Sequence, residues 1–244
     1  MKTIKIITKV FYVRIMASIL SLFLLNGTVN AAADHLYWAE KIAANVTPDK
    51  NMYASDPSYI AWPDANGVGD YVNRSKCASF VTLVLMHANK WPSSYFIDWM
   101  SSISPTANTY YDTIKLQKRF VSIVNVNEIQ AGDIVAIKYP RGSVVTGHMM
   151  IANAMATRRA SSLPLVNGTY QYELKVIDSS QSGHGTTDTR LKADGSYVQG
   201  AGIGVFRLYT DTKGVIVGQT WSTHSKSQYY DIKSRPMIVG RISQ

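Results

Sequence analysis

The sequence predicts an α+β fold, with helices in the first half and a meander of antiparallel strands in the second. Three observations carry this expectation. The run Phe80-Val81-Thr82-Leu83-Val84-Leu85-Met86 reads as a buried helix. Residues 170–178 alternate with period two behind an Asn167-Gly168 turn, the pattern of a half-buried strand. Residues 134–137, 144–152, 204–209 and 215–221 are short apolar stretches separated by turn residues, as the strands of one sheet would be.

In chain order, Lys2, Lys5, Lys9 and Arg14 precede the apolar run 15–25, and Val29-Asn30-Ala31-Ala32-Ala33 follows it, the order of a secretory signal peptide. The 11 residues of the run fall short of the roughly 20 that cross a bilayer. Cleavage after Ala31 or within the next two residues is expected, removing residues 1–33 and leaving an exported chain (periplasm, cell surface or secreted) with no stable transmembrane span. Residues 34–244 suffice for one substantial core and are expected as a single domain.

In residues 35–46, Leu36, Ala39, Ile42 and Ala43 recur at helical spacing, and Thr47-Pro48 ends the pattern. The rest of 34–70 is rich in loops, with turns at Asp56-Pro57, Trp62-Pro63-Asp64 and Asn66-Gly67; the aromatics Tyr59, Trp62 and Tyr71 either pack or line a cleft. Ser75 is a fair N-cap for the next helix, which puts Cys77 at its second position and its end near Asn89. Residues 92–128 are expected as an insertion or partly helical cap, with a helix around 111–120. The turn 129–133 feeds the first strand, the chain returns through 144–152, and 204–221 forms a hairpin around Asp211-Thr212-Lys213-Gly214.

Lysine and arginine number 25 against 16 acids, a net charge of +9; four bases and no acid lie in residues 1–33, so 34–244 carry 21 against 16, or +5. The bases are scattered, which argues against nucleic acid and fits an anionic envelope polymer as partner. The single cysteine excludes an intrachain disulfide, and one cysteine with five dispersed histidines shows no metal-ligand spacing. No glycine-rich nucleotide loop is present either, so neither metal nor cofactor is expected. A monomer is expected.

On composition alone, Cys77 reads as a small buried hydrophobe. A helix start, however, favours thiolate through its free N–H groups and dipole. A thiolate nucleophile needs a base, and the base needs an orienting group. His35 lies near the new N-terminus, His87 is ten residues along the same helix, nearly three turns away, and His224 sits in a polar stretch. His148 instead opens an apolar strand directly after Gly147, where a small residue permits close backbone approach. Asp178 closes the alternating strand, either as a turn cap or as the orienting carboxylate, and His184 in Ser182-Gly183-His184-Gly185 is an alternative third residue or a substrate contact.

Together, Lys76-Cys77-Ala78-Ser79-Phe80-Val81, Gly132-Asp133-Ile134-Val135, Gly147-His148-Met149-Met150-Ile151 and Val176-Ile177-Asp178-Ser179-Ser180 resemble the four blocks of the NlpC-like branch of papain-fold cysteine peptidases and amidases. The resemblance covers roughly residues 70–180 and some strands beyond. It implies a papain-like fold with the nucleophile-bearing helix packed on a curved antiparallel sheet, Cys77 as nucleophile, His148 as base and Asp178 as orienting group. The chain departs from the family in having Lys-Cys-Ala-Ser-Phe for Asp-Cys-Ser-Gly-Phe, and an aspartate where His, Asn or Gln is usual. For the family's oxyanion-binding tyrosine, Tyr59 and Tyr71 are the candidates. The implied activity is hydrolysis of an amide, in peptidoglycan stem or cross-link peptides, through a thioester. The rival reading is a non-catalytic envelope-binding or adhesive protein with an inert, buried Cys77.

Overall fold

The computed structural model describes residues 34–243, which belong to one compact unit; the expected signal segment lies outside them. The chain begins with α1 (Asp34–Asn45), the short strands β1 (Asn51–Met52), β2 (Tyr59–Ala61) and β3 (Val72–Arg74), and then α2 (Cys77–Asn89), α3 (Ser93–Met100) and α4 (Ala107–Lys115). Strands follow: β4 (Phe120–Ile123), β5 (Ile134–Lys138), β6 (Gly147–Ala152), β7 (Thr157–Arg158), β8 (Tyr170–Ser180), β9 (Gly200–Thr210), β10 (Ile216–Thr220), β11 (Tyr229–Asp231) and β12 (Met237–Ile242). The fold is α+β.

Among the described residues, β4 to β12 form one antiparallel sheet in the order β11-β10-β9-β8-β6-β5-β12-β4, with β7 beside β8; β1, β3 and β2 form a small separate sheet. Alternation along the large sheet sends side chains into two cores. Ile134, Ala136, Met149, Ile151 and Ile177 meet the helices, whereas Val135, Ile137, Met150, Ala152, Val176 and Leu174 pack with Phe206, Leu208 and Val239. Burial of both faces explains why β5 and β6 read as continuous apolar runs.

The helix α2 buries Phe80, Val81, Val84 and Leu85 against this sheet. Its N-cap is Lys76 rather than Ser75, so Cys77 is the first helical residue. Ser79 Oγ accepts from the Lys76 N–H at 2.9 Å, and Ser75 lies beneath as a buried tie whose carbonyl accepts from Ser179 Oγ of β8 at 2.7 Å. That tie sets the helix start beside the end of β8.

Residues 92–128 are not a cap over the core. Phe96, Trp99, Met100, Tyr110, Ile114 and Phe120 all belong to it. The helix expected at 111–120 lies at 107–115, because Thr106 Oγ1 caps it by accepting from the Thr109 N–H, and Gln117 and Arg119, with φ of 52° and 55°, break the helix before Phe120 starts β4. The C-terminal strand β12, absent from the sequence reading, sits between β5 and β4. Arg241 on it pairs bidentately with Asp133 of the Gly-Asp turn at 2.8 and 2.9 Å. His35 is structural as well: its Nε2 donates to the Gly132 carbonyl at 2.7 Å and fastens α1 to the same turn. No described helix is long and apolar enough to cross a membrane.

If α3 is part of the single core, Phe96→Ala should destabilise the whole protein by about 3–5 kcal/mol in one cooperative transition. Denaturant unfolding followed by circular dichroism measures it, and a separate early transition with the main one unmoved would contradict the assignment.

Candidate active site

Three chain segments converge at one end of the sheet: the first turn of α2 with Cys77, the start of β6 with Gly147 and His148, and the end of β8 with Asp178. Gly147 is required there. Its φ is +157°, and a Cβ would collide with the Ile137 carbonyl oxygen and press on Ala107 at 3.0 Å. The Cys77 sulfur lies 3.9 Å from the Gly147 carbonyl oxygen.

The imidazole of His148 joins the other two groups. Its Nε2 donates to Asp178 Oδ2 at 2.6 Å, which leaves Nδ1 as the ring nitrogen for the Cys77 sulfur. Burial opposes ionisation of the thiol, but the charge and hydrogen bond of His148 and the Met149 N–H outweigh it and hold the Cys77 pKa below the ordinary thiol value. Burial likewise opposes the imidazolium, yet Cys77 and Asp178 raise the His148 pKa to about 9. Both shifts favour the thiolate and imidazolium form of the pair.

Asp178 is fully buried, so its charge must be met from within. Burial would raise its pKa; Arg190, then His184 and His148, hold it well below the usual carboxylate range. His184 Nε2 donates to Oδ2 at 3.0 Å while its Nδ1 donates to the Trp221 carbonyl at 2.7 Å. Arg190 Nη1 lies 2.9 Å from Oδ1 as an ion pair and donates to the Gly200 carbonyl, while the Nε and Nη2 of the same guanidinium donate to Asp188 at 2.8 and 2.7 Å. Thus Asp178 and His184, alternatives in the sequence reading, belong to one network, with His184 behind the carboxylate.

Sequence reasoning missed Arg190, Trp221 and the glycines that make room for them. Gly202 and Gly204 share a face of β9; a Cβ at Gly202 would strike the Arg190 side chain, and one at Gly204 would strike Asp188 and His184. The signal was present as Gly200-Ala201-Gly202-Ile203-Gly204, a two-residue glycine period that removes side chains from one strand face. Trp221 stacks on His184 at 4.1 Å and meets His148 edge-on at 4.7 Å, shielding the His148–Asp178 bond from water.

The structure also brings together ligand types that the sequence disperses: one ligand atom each from His148, Asp178 and His184 lie within 4.8 Å of one another. Their separations from Oδ2, 2.6 and 3.0 Å, are hydrogen-bond lengths, and the Arg190 cation touches the same carboxylate. This charge pattern suits shared protons better than a dication.

Two open pockets adjoin the site, one lined by Cys77 and the other by His148, and Gly147 borders both. One of about 270 Å³ is lined by Ser58, Lys76, Cys77, Ser79, Thr106 and Val145; the other, of about 310 Å³, by Tyr139, His148, Gln181, Trp221, Tyr230 and Arg235. Tyr53 borders both; burial, and then the nearby Cys77, raise its pKa, so the phenol stays protonated. Tyr59 and Tyr71 are not among the residues lining either pocket: Tyr59 is exposed on β2 and Tyr71 packs against the core. Trp62 packs too, stacked on His87 at 4.0 Å. Val144 and Val145, expected in a strand, belong to the loop before β6 and line the first pocket.

Neither a family model nor a solved structure matches this chain. Over 217 residues it is 31% identical to the Uncharacterized protein R653 of Acanthamoeba polyphaga mimivirus, a match that covers 85% of this chain and 95% of the viral protein. The chain belongs to the R653 family. Since the match takes in nearly all of the viral protein, it concerns the fold as a whole and not a shared segment. The viral relative's printed name specifies no reaction, so the chemistry of this R653-family site is argued from its own atoms.

Two outcomes follow from the geometry. Alkylation of Cys77 by iodoacetamide should set in below the ordinary thiol value of 9.0, and His148→Ala should move the onset to higher pH because burial is then opposed by the Met149 N–H without the His148 charge and hydrogen bond. Identical profiles in both proteins would contradict the ion pair. Arg190→Leu removes one partner of a buried pair and should cost about 3–5 kcal/mol of stability, measured by denaturant unfolding.

Proposed function

We propose that this R653-family chain is an exported cysteine hydrolase of the NlpC-like papain-fold type, cleaving an amide bond through Cys77, His148 and Asp178. The observation that carries the reading is the His148 Nε2–Asp178 Oδ2 bond of 2.6 Å, which turns the other ring nitrogen toward a thiol at a helix start. Such a carboxylate selects the tautomer and stabilises the imidazolium.

In the proposed reaction the Cys77 thiolate attacks the amide carbonyl carbon. Charge develops on the carbonyl oxygen, which the Cys77 N–H and the Tyr53 hydroxyl stabilise; the former has no acceptor within the helix because it lies in the first turn. His148 passes its proton to the leaving nitrogen, the C–N bond breaks, and a thioester remains. Water then attacks the thioester, giving a proton to His148, and collapse releases a carboxylic acid and restores thiolate and imidazolium. The substrate class is a peptidoglycan stem or cross-link peptide, which the net charge of residues 34–244 and the resemblance of the four sequence blocks support.

A second reading, a binding or adhesive protein with an inert thiol, draws on one observation: Cys77 is only 6% exposed. The two readings part on activity. Cys77→Ala should abolish release of muropeptide fragments, followed by chromatography and mass spectrometry, and His148→Ala should reduce it comparably. Tyr53→Phe should lower kcat by about 10²–10³ if the phenol binds the oxyanion. Full hydrolysis by Cys77→Ala would remove the nucleophile assignment. As the pH rises through about 9, His148 loses the proton that the leaving amine needs, so kcat should fall on that alkaline limb.

A further inference from the structure

The pocket on the His148 side holds a cation that no described carboxylate neutralises. Arg235 lies on its wall with Cζ 3.4 Å from the Tyr230 ring centroid and 4.6 Å from that of Tyr139. Its Nε is shut off from solvent with no hydrogen-bond acceptor, and no described carboxylate pairs with the guanidinium. The remaining lining is Tyr53, Val145, Gly147, Ser180, Gln181, Ser182 and Gln228 beside His148 and Trp221, without a single acid. By contrast Arg190 and Arg241 each have their carboxylate.

We infer that Arg235 is a specificity-determining residue that binds a carboxylate on the amine-side portion of the substrate. The inference rests on the proposed hydrolase reading and deepens it. His148 must protonate the leaving nitrogen, so the leaving portion has to lie where His148 is exposed, and that is the pocket shared with Arg235. Two tyrosine faces hold the guanidinium plane in place, so little side-chain entropy is lost when its fork meets a planar carboxylate. The bond being cleaved is therefore one whose amine belongs to an amino acid or short peptide with a free carboxylate nearby. The other pocket, bordered by serines, threonines and Lys76, takes the acyl portion.

The test uses two reagents that differ only in charge, N-bromoacetyl-L-alanine and N-bromoacetyl-L-alaninamide. In each, the Cys77 sulfur forms a bond to the methylene carbon and bromide leaves; the mass shift of the intact protein gives the rate. The acid should react about tenfold faster than the amide with the native protein, the size of one charge-assisted contact. In Arg235→Gln that ratio should fall to about one, and in Arg235→Lys part of it should persist. Equal rates in the native protein, or a preference that survives in Arg235→Gln, overturn the subsite while leaving Cys77 a nucleophile. Failure of both reagents and of iodoacetamide to label Cys77 overturns the hydrolase reading and the subsite with it.

Discussion

The site is organised by a carboxylate in a place where water cannot reach it. Asp178 is fully buried near the end of β8, one of two 11-residue strands in the sheet, and an isolated charge there would be very costly. The fold meets that cost with ring hydrogens from His148 and His184 on one oxygen and with the Arg190 cation beside the other. Each neighbour is in turn held: His184 by the Trp221 carbonyl, Arg190 by Asp188 and the Gly200 carbonyl. Removing any one leaves an unpaired group in a low-dielectric interior, so the network holds its geometry as a unit.

That constraint reaches into the backbone. β9 gives up side chains at Gly202 and Gly204 so that Arg190, Asp188 and His184 fit against it. The same logic recurs at Gly147, where β6 approaches the Ile137 carbonyl too closely for any Cβ. These glycines give up some conformational order in the unfolded chain in exchange for room at the site. Around the network, the two apolar cores clamp the sheet from both faces, and the Ser179–Ser75 bond fixes where α2 begins. A thiol at a helix start and an imidazole at a strand start are thereby placed against each other by rigid elements rather than by loops.

Much of this was legible along the chain. The first helix, the Cys77 helix and its end at Asn89, and the strands around 134–137 and 170–178 depend on local pattern, apolar periodicity and turn residues, whereas the grouping of Cys77, His148 and Asp178 came from the resemblance of four sequence blocks to a known family. What escaped was non-local. β12 enters the sheet between β5 and β4 from more than a hundred residues away, and Thr106, not an apolar pattern, sets where α4 starts. The cleft tyrosine was sought at Tyr59 and Tyr71, but it is Tyr53, at a loop position with no periodicity, that lines both pockets.

The sequence by itself determined the α+β order, the lone thiol near a helix start, and His148 and Asp178 as candidates at the ends of strands, because period and turn chemistry act over a few neighbours. Only the tertiary structure decided that His184 and Arg190 stand behind Asp178, that Trp221 covers His148, and that Arg235 faces the cleft unpaired. These positions follow from strand register and from which buried charges lie opposite one another, and both are properties of the folded whole rather than of any one segment.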